Sequence, residues 1–283
     1  MEKSNALLKA RRASLENILF HVEQHEMDSS RIILADYNFS GQYASAIYCP
    51  SMNKILHLAG RNYTLVRNDE LISPINDKLV SMFGSSGLEI ECFNEDDRRF
   101  SARFILKDKV LQIANKDFVN AMIEIQNSYD GTLRHSISLS FYRQICSNGL
   151  MGWRKESTIS HKHNSDYLLN LEAVLVRLDK LDGDLSKFRK LTERILTTKE
   201  IEEISVSIRE MKYDAFPKKL IGEVPLQMYQ EAQELKTKPN AWLLYNAYNR
   251  FLNHDDRVGL AIDVKERVDR NVLATITQKL HLN

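Results

Sequence analysis

Residues 127–148 hold the densest run of side chains able to do chemistry: Asn127, Ser128, Tyr129, Asp130 and Gly131, then Arg134, His135, Arg143, Cys146 and Asn148. Side-chain oxygens of Asn, Ser and Asp bond nearby backbone N–H groups, which is the ordinary way to fix a turn, and Gly131 supplies the positive φ such a turn needs. The NSYDG segment has a second reading as the lining of a site at a hairpin tip. On an exposed tip, Tyr129 is expected to stack on a nucleobase. From 131 to 163 the cations Arg134, Arg143, Arg154, Lys155 and Lys162 face a single acid, Glu156, and Phe141, Tyr142 and Trp153 interleave with them. Cations that track phosphates and rings that stack bases are what a groove for single-stranded nucleic acid requires. The expected contacts are Tyr129, Arg134, Arg143, Trp153, Arg154 and Lys155.

Alternation along 132–143 places Leu133, His135, Ile137, Leu139 and Phe141 on one face and Arg134, Ser136, Ser138, Ser140 and Tyr142 on the other. His135 thus falls on the apolar face, the position of a satisfied core histidine rather than a catalytic one. Arg134 and Arg143 fall on opposite faces, so only a bulge or the strand's end lets both meet one ligand. His161 and His163 point the same way on a strand and, with Cys146 and Asp130, offer a zinc-binding set; Cys146 with either histidine permits a thiol nucleophile. A solvated loop and a small buried cysteine are the competing readings. There is no second spaced Cys/His pair and no Walker loop, GxGxxG, HExxH or GxSxG motif. No cofactor or metal is therefore expected, and nucleotide hydrolysis and standard hydrolase chemistry have no support. Farther on, Trp242, Tyr245, Asn246, Asn249 and Arg250 recur at three- and four-residue spacing on one side of a helix. They are expected to pack on the core, with Asn246 or Asn249 bonding backbone of the 127–148 segment.

The elements that must position these residues follow from periodicity. Residues 4–27 place Leu7, Leu8, Leu15, Ile18, Leu19 and Val22 at helical spacing after Ser4 and predict one amphipathic helix, whose Lys9, Arg11 and Arg12 form a basic cluster. Within 31–66, RIILADY, QYASAIYC and YTLV have strand composition. Ser73 and Pro74 predict a helix start that runs to Gly84. From 87 to 145 strands return, with the acidic turn NEDDRR and a β-hairpin centred on Asp130-Gly131. After about 164 the pattern is helical: Asn164 or Ser165 caps YLLNLEAVLVRLDKL, Asp184 caps LSKFRKLTERIL, and Thr198 opens KEIEEISVSIREMK. Further helices are expected at about 225–236, 240–254 and 257–281.

Strands followed by helices give an α+β fold: a mainly antiparallel sheet with helices in residues 1–160, which carry the NSYDG hairpin, and a helical portion, 161–283, packing on that core. The chain has 39 Lys plus Arg against 38 Asp plus Glu, so any nucleic-acid site must be a local patch. Three separated cysteines argue against a disulfide scaffold and for a reducing compartment. With no signal-peptide pattern and no apolar run of membrane length, a cytoplasmic protein is expected.

The run IQNSYDGTLRHSISLSFYRQICSNGL also resembles the domain of unknown function 932 family, described as phage- and plasmid-like proteins. Its Asn-Ser-x-Asp-Gly pattern is carried by Asn127, Ser128, Asp130 and Gly131, followed by Arg143, Cys146 and Asn148, with His161 or His163 next. Upstream, Tyr63, Val66, Asn68 and Glu70 match a second segment; downstream, Trp242, Asn246 and His254 match a third. HKH at 161–163 departs from the family's single histidine. The resemblance implies a mobile-element protein without an assigned activity, with DNA recombination or replication as its context. An α-β-β-β-α core is also how single-strand annealing proteins of the Rad-fifty-two and Red-beta type are built, an analogy that identifies no site. Three expectations of function follow. The first is binding of single-stranded DNA; the second is a non-catalytic interaction or host-counteracting protein with a protein partner from host or phage; the third is a metal- or thiol-dependent enzyme.

Overall fold

A computed structural model of the chain describes residues 11–26, 33–34, 37–38, 43–114, 116–143, 148–150, 158–161, 171–178 and 181–282. Its elements in order are β1 (Arg11–Ala13), α1 (Leu15–Ile18), β2 (Glu23–Glu26), β3 (Ile33–Leu34), β4 (Tyr37–Asn38), β5 (Ser45–Cys49) and β6 (Lys54–Ala59). Then come α2 (Asn68–Phe83), β7 (Leu88–Glu95), β8 (Arg99–Ala114), β9 (Asp117–Ser128), β10 (His135–Arg143), β11 (Asn148–Leu150) and β12 (Thr158–His161). Helices α3 (Leu171–Leu175), α4 (Leu181–Glu193), α5 (Thr198–Arg209), α6 (Val224–Glu234), α7 (Ala241–His254) and α8 (Ile262–Lys279) complete it, with a 3-10 turn at Lys218–Leu220 before α6. The fold is α+β, as a run of strands followed by a run of helices implies. No helix among the described residues is long and apolar enough to cross a membrane.

The main sheet is an antiparallel meander in the order β1-β7-β8-β9-β10-β11, with β12 also paired to β10. Strands β2, β5 and β6 form a second sheet, and β3 pairs with β4. One face of the main sheet is apolar: Phe100, Ala102, Phe104 and Leu106 on β8, Ala121, Ile123 and Ile125 on β9, and Ile137, Leu139 and Phe141 on β10 are all buried. They belong to one buried cluster with Leu71, Ile75 and Leu79 of α2, Phe188 of α4 and Trp242 of α7. The sheet and the C-terminal helices therefore share a core, and burying each such large side chain stabilises by ~1.5–3 kcal/mol.

Several boundaries differ from the periodicity. The N-terminal helix expected over 4–27 is replaced, in its described part, by a strand, one helical turn and a second strand. Ser14 caps α1 by accepting from the Asn17 N–H, and β1 is held in register against β7 with Ala13 opposite Cys92. Sheet pairing overrides a spacing that also suits a helix. Helix α2 starts five residues before Ser73, with Pro74 inside it, because Asn68 is fixed from elsewhere in the fold, as set out below. YTLV forms no strand; the hairpin partner of β5 is β6, KILHLA. Asp184 lies inside α4 rather than capping it. Thr197, with Glu200, closes a capping box on α5, and Asn240 caps α7 through the Leu243 N–H. The proposed caps Asn164 and Ser165 lie outside the described residues.

Candidate functional site

The NSYDG segment is the end of β9 and the loop into β10, and its side chains point inward. The hairpin forms, with Gln126 opposite Ser136. The two strands are joined by a loop from 129 to 134 instead of a two-residue turn. Ser128 Oγ donates to the Leu133 carbonyl and accepts from the Leu133 N–H, both at 3.1 Å, which closes the loop. Asp130 Oδ1 accepts from the Thr132 N–H at 3.0 Å, and Gly131 takes φ +66°. Asn127 Nδ2 donates to the Val66 carbonyl at 2.7 Å and to Asn68 Oδ1 at 2.9 Å. Asn68 in turn donates its Nδ2 to the Ile18 carbonyl at 2.7 Å. This network is what begins α2 at Asn68.

Tyr129 corrects the expectation of an exposed stacking ring. It is 0% exposed, packed edge-on against Phe20 and Phe100, and its hydroxyl accepts from the Asn68 N–H at 3.1 Å. Its carbonyl accepts from Tyr63 Oη at 3.0 Å, and its own N–H donates to the Arg98 carbonyl at 2.7 Å. Burial pushes both tyrosine hydroxyls above their ordinary range. Such a ring cannot meet a base without dismantling the loop.

Arg143 corrects the second expected contact. It is 0% exposed at the end of β10, where Nε donates to both Asp117 oxygens, at 2.9 and 3.1 Å, and the other guanidinium nitrogens pair with Asp117 and Glu231. Asp117 starts β9, and Glu231 lies on α6. The Trp242 ring of α7 lies 5.4 Å from the guanidinium carbon, and its Nε1 donates to Asp117 Oδ2 at 2.7 Å. The predicted link between the 127–148 segment and α7 is therefore made by Trp242. Asn246 donates to the Trp242 carbonyl within its own helix, and Asn249 donates to Asp269 of α8. A planar guanidinium with two carboxylates and an indole is a fastening of sheet to helices, with its donors turned away from solvent.

His135 lies buried on the core face, as its alternation expects, and Arg134 is exposed beside the loop. Trp153, Arg154, Lys155, Cys146 and His163 lie outside the described residues. Asn148 and His161 contribute backbone to β11 and β12, the latter opposite His135. Among the described residues no group of three His, Cys, Asp or Glu is placed to hold a metal ion. Cys49 and Cys92 are buried free thiols, and burial followed by Glu91 pushes Cys92 up to about 11.

The opposite face of the main sheet carries a polar row that the sequence reading did not single out. Registered across β7 to β10 are Glu91, Arg103, Glu124 and Ser138, and one row over, Ser101, Gln126 and Ser136. Glu124, 1% exposed, accepts from Ser101 Oγ at 2.6 Å and Arg103 Nε at 2.9 Å. Gln126 donates to Glu266 of α8. Burial and then Glu124 push the Glu266 carboxyl up to about 8, against the pull of Arg103 and Arg270. Glu266 thus keeps a proton at neutral pH and ties α8 to the sheet. On the next turn of α8, Asp269 is buried, accepts from Tyr245 and Asn249 of α7, and is raised to about 6, chiefly by burial.

An open cleft lies elsewhere, between α5 and the start of α6. Thr198, Ile201, Glu202, Ser205 and Arg209 line one wall, and Ile221, Gly222, Pro225 and Tyr229 the other, around about 200 Å³. Beside it Leu226 is 65% exposed and Val206 50%. Val206 lies one turn from Glu202, and Leu226 one turn before Tyr229, so both border the cleft. A signal was present in the sequence: both are apolar residues on the otherwise polar sides of amphipathic helices.

The family model for Domain of unknown function (DUF932) matches residues 55–277. Comparison with curated proteins and with solved structures finds no match. The match takes in the NSYDG loop, the Arg143 fastening, the polar row and the α5–α6 cleft.

Proposed function

The chain belongs to the family described as Domain of unknown function (DUF932), and we propose that it works as a non-catalytic interaction protein that docks a protein partner on the α5–α6 cleft. The observation that carries this reading is the cleft itself, with Leu226, Val206 and Tyr229 held at its rim in contact with water. Single exposed apolar residues are common, whereas several clustered around a concavity mark a surface that another molecule covers. The test is a photo-cross-linking residue, p-benzoylphenylalanine, placed at position 226 in the cell that makes the protein, with one at exposed Met52 as control. Discrete adducts from 226 and none from 52 are expected. No adduct from 226 overturns the reading.

Single-stranded nucleic acid is the second reading, favoured by the exposed Arg134 guanidinium beside the loop. It has lost Tyr129 and Arg143 to the core and rests on Arg134 with Trp153, Arg154 and Lys155. Fluorescence anisotropy of a labelled oligonucleotide at two ionic strengths separates the two readings: the interaction reading expects no binding at low salt, the nucleic-acid reading a salt-dependent one that weakens in Arg134→Ala.

A further inference from the structure

We infer that the molecule seated on the α5–α6 cleft is a second copy of this chain, related by a two-fold axis that crosses α5 between Ser205 and Val206. The inference rests on the interaction reading and names its partner. Glu202 and Arg209 both line the cleft and both are exposed. Seven residues apart on one helix, they are separated by about 10 Å along its axis. Neither forms an ion pair within the chain among the described residues. The patch thus carries one exposed acid and one exposed base of its own, neither ion-paired among the described residues.

That arrangement is self-complementary. A two-fold axis midway between the two charges sets Glu202 against Arg209 of the partner subunit and, by the same operation, Arg209 against Glu202 of the partner subunit. Val206, 50% exposed, then lies at the axis, where like charges would repel and an apolar pair is favourable. The patch also holds a knob and a hole. Leu226 projects from the start of α6, and the hollow is the cleft beside it, lined by Ile221, Gly222 and Tyr229. An apolar projection and an open hollow on one surface are what an isologous contact needs, since each copy must supply both halves. A partner of unrelated sequence would have to supply both opposite charges itself, whereas a second copy already carries them at the matching spacing.

The full chain is tested by sedimentation velocity over about a hundredfold range of concentration, where a reversible dimer changes its populated fraction. A monomer–dimer equilibrium is expected. Arg209→Glu and Glu202→Arg, each placing like charges across the axis, are expected to weaken it by about tenfold or more, and the doubly reversed variant to regain most of the loss. Circular dichroism melts of all three, taken at a concentration where the parent is monomeric, are expected to match it, because both side chains are exposed. A single species of monomer mass at every concentration overturns the inference, as does a dimer indifferent to both reversals. Cross-links from position 226 to a different protein, with the chain itself monomeric, overturn the second copy and leave the interaction reading standing; absence of any adduct removes both.

Discussion

Replacing Arg143 with Met leaves two carboxylates, Asp117 and Glu231, facing each other at 1% and 2% exposure with their shared cation gone. Breaking a buried ion pair by removing one partner costs about 3–5 kcal/mol, most of it the desolvation of the charge left behind. Against a whole-domain stability of about 5–15 kcal/mol, that is a large fraction. For a chain of this size it corresponds to a fall in Tm of about 10 °C. Urea denaturation followed by far-ultraviolet circular dichroism reads it as a lowered midpoint at unchanged slope. The triple variant Arg143→Met, Asp117→Asn, Glu231→Gln removes the charges together and keeps an acceptor for the Trp242 indole, so it is expected to recover to within about 1–2 kcal/mol of the parent. A single Arg143→Met variant within about 1 kcal/mol of the parent would refute the fastening role, for then the guanidinium carries no buried charge balance.

Tyr129→Phe removes the hydroxyl that accepts from the Asn68 N–H and is expected to cost about 1–2 kcal/mol in the same urea assay; an unchanged midpoint counts against the anchoring of α2. The Glu266 carboxyl titrates at about 8 in the folded chain against 4.5 as the ordinary value, so the native state holds the extra proton in between and stability falls as pH rises through that window. Asp269, raised from 3.8 to about 6, adds a fall of the same sign as pH rises between those two values. Between pH 6 and 8 the Glu266→Gln variant is therefore expected to show a flatter urea midpoint than the parent; parallel slopes contradict the proton-bearing tie.

Local patterns made the β9–β10 hairpin legible, because Asp130 and Gly131 interrupt two runs of alternating apolar residues, and the same alternation placed His135, Ile137, Leu139 and Phe141 on the core face. Extended two residues further, it already put Arg143 on that face. What the pattern could not contain was Asp117 and Glu231, brought to Arg143 by β9 and α6. Tyr129 was misplaced for the same reason. Its burial depends on Phe20, Phe100 and Asn68, remote in sequence, and a loop residue with remote partners looks the same as an exposed one. The N-terminal spacing suited a helix until pairing with β7 decided otherwise. In the polar row, Glu124 and Glu266 gave no motif because they meet only when α8 crosses the sheet.

Asn127, Ser128, Arg143 and Trp242 are inner fastenings of the fold, and the surface proposed to act lies on α5 and α6. Hydrogen–deuterium exchange on the full chain, read at two protein concentrations, tests both halves at once. The account predicts that amides of β9, β10 and α7 exchange only through global opening at either concentration, while those of α5 and the start of α6 gain protection as concentration rises. Rapid exchange through Asn127, Ser128 and Arg143, or an α5–α6 pattern that ignores concentration, would contradict it.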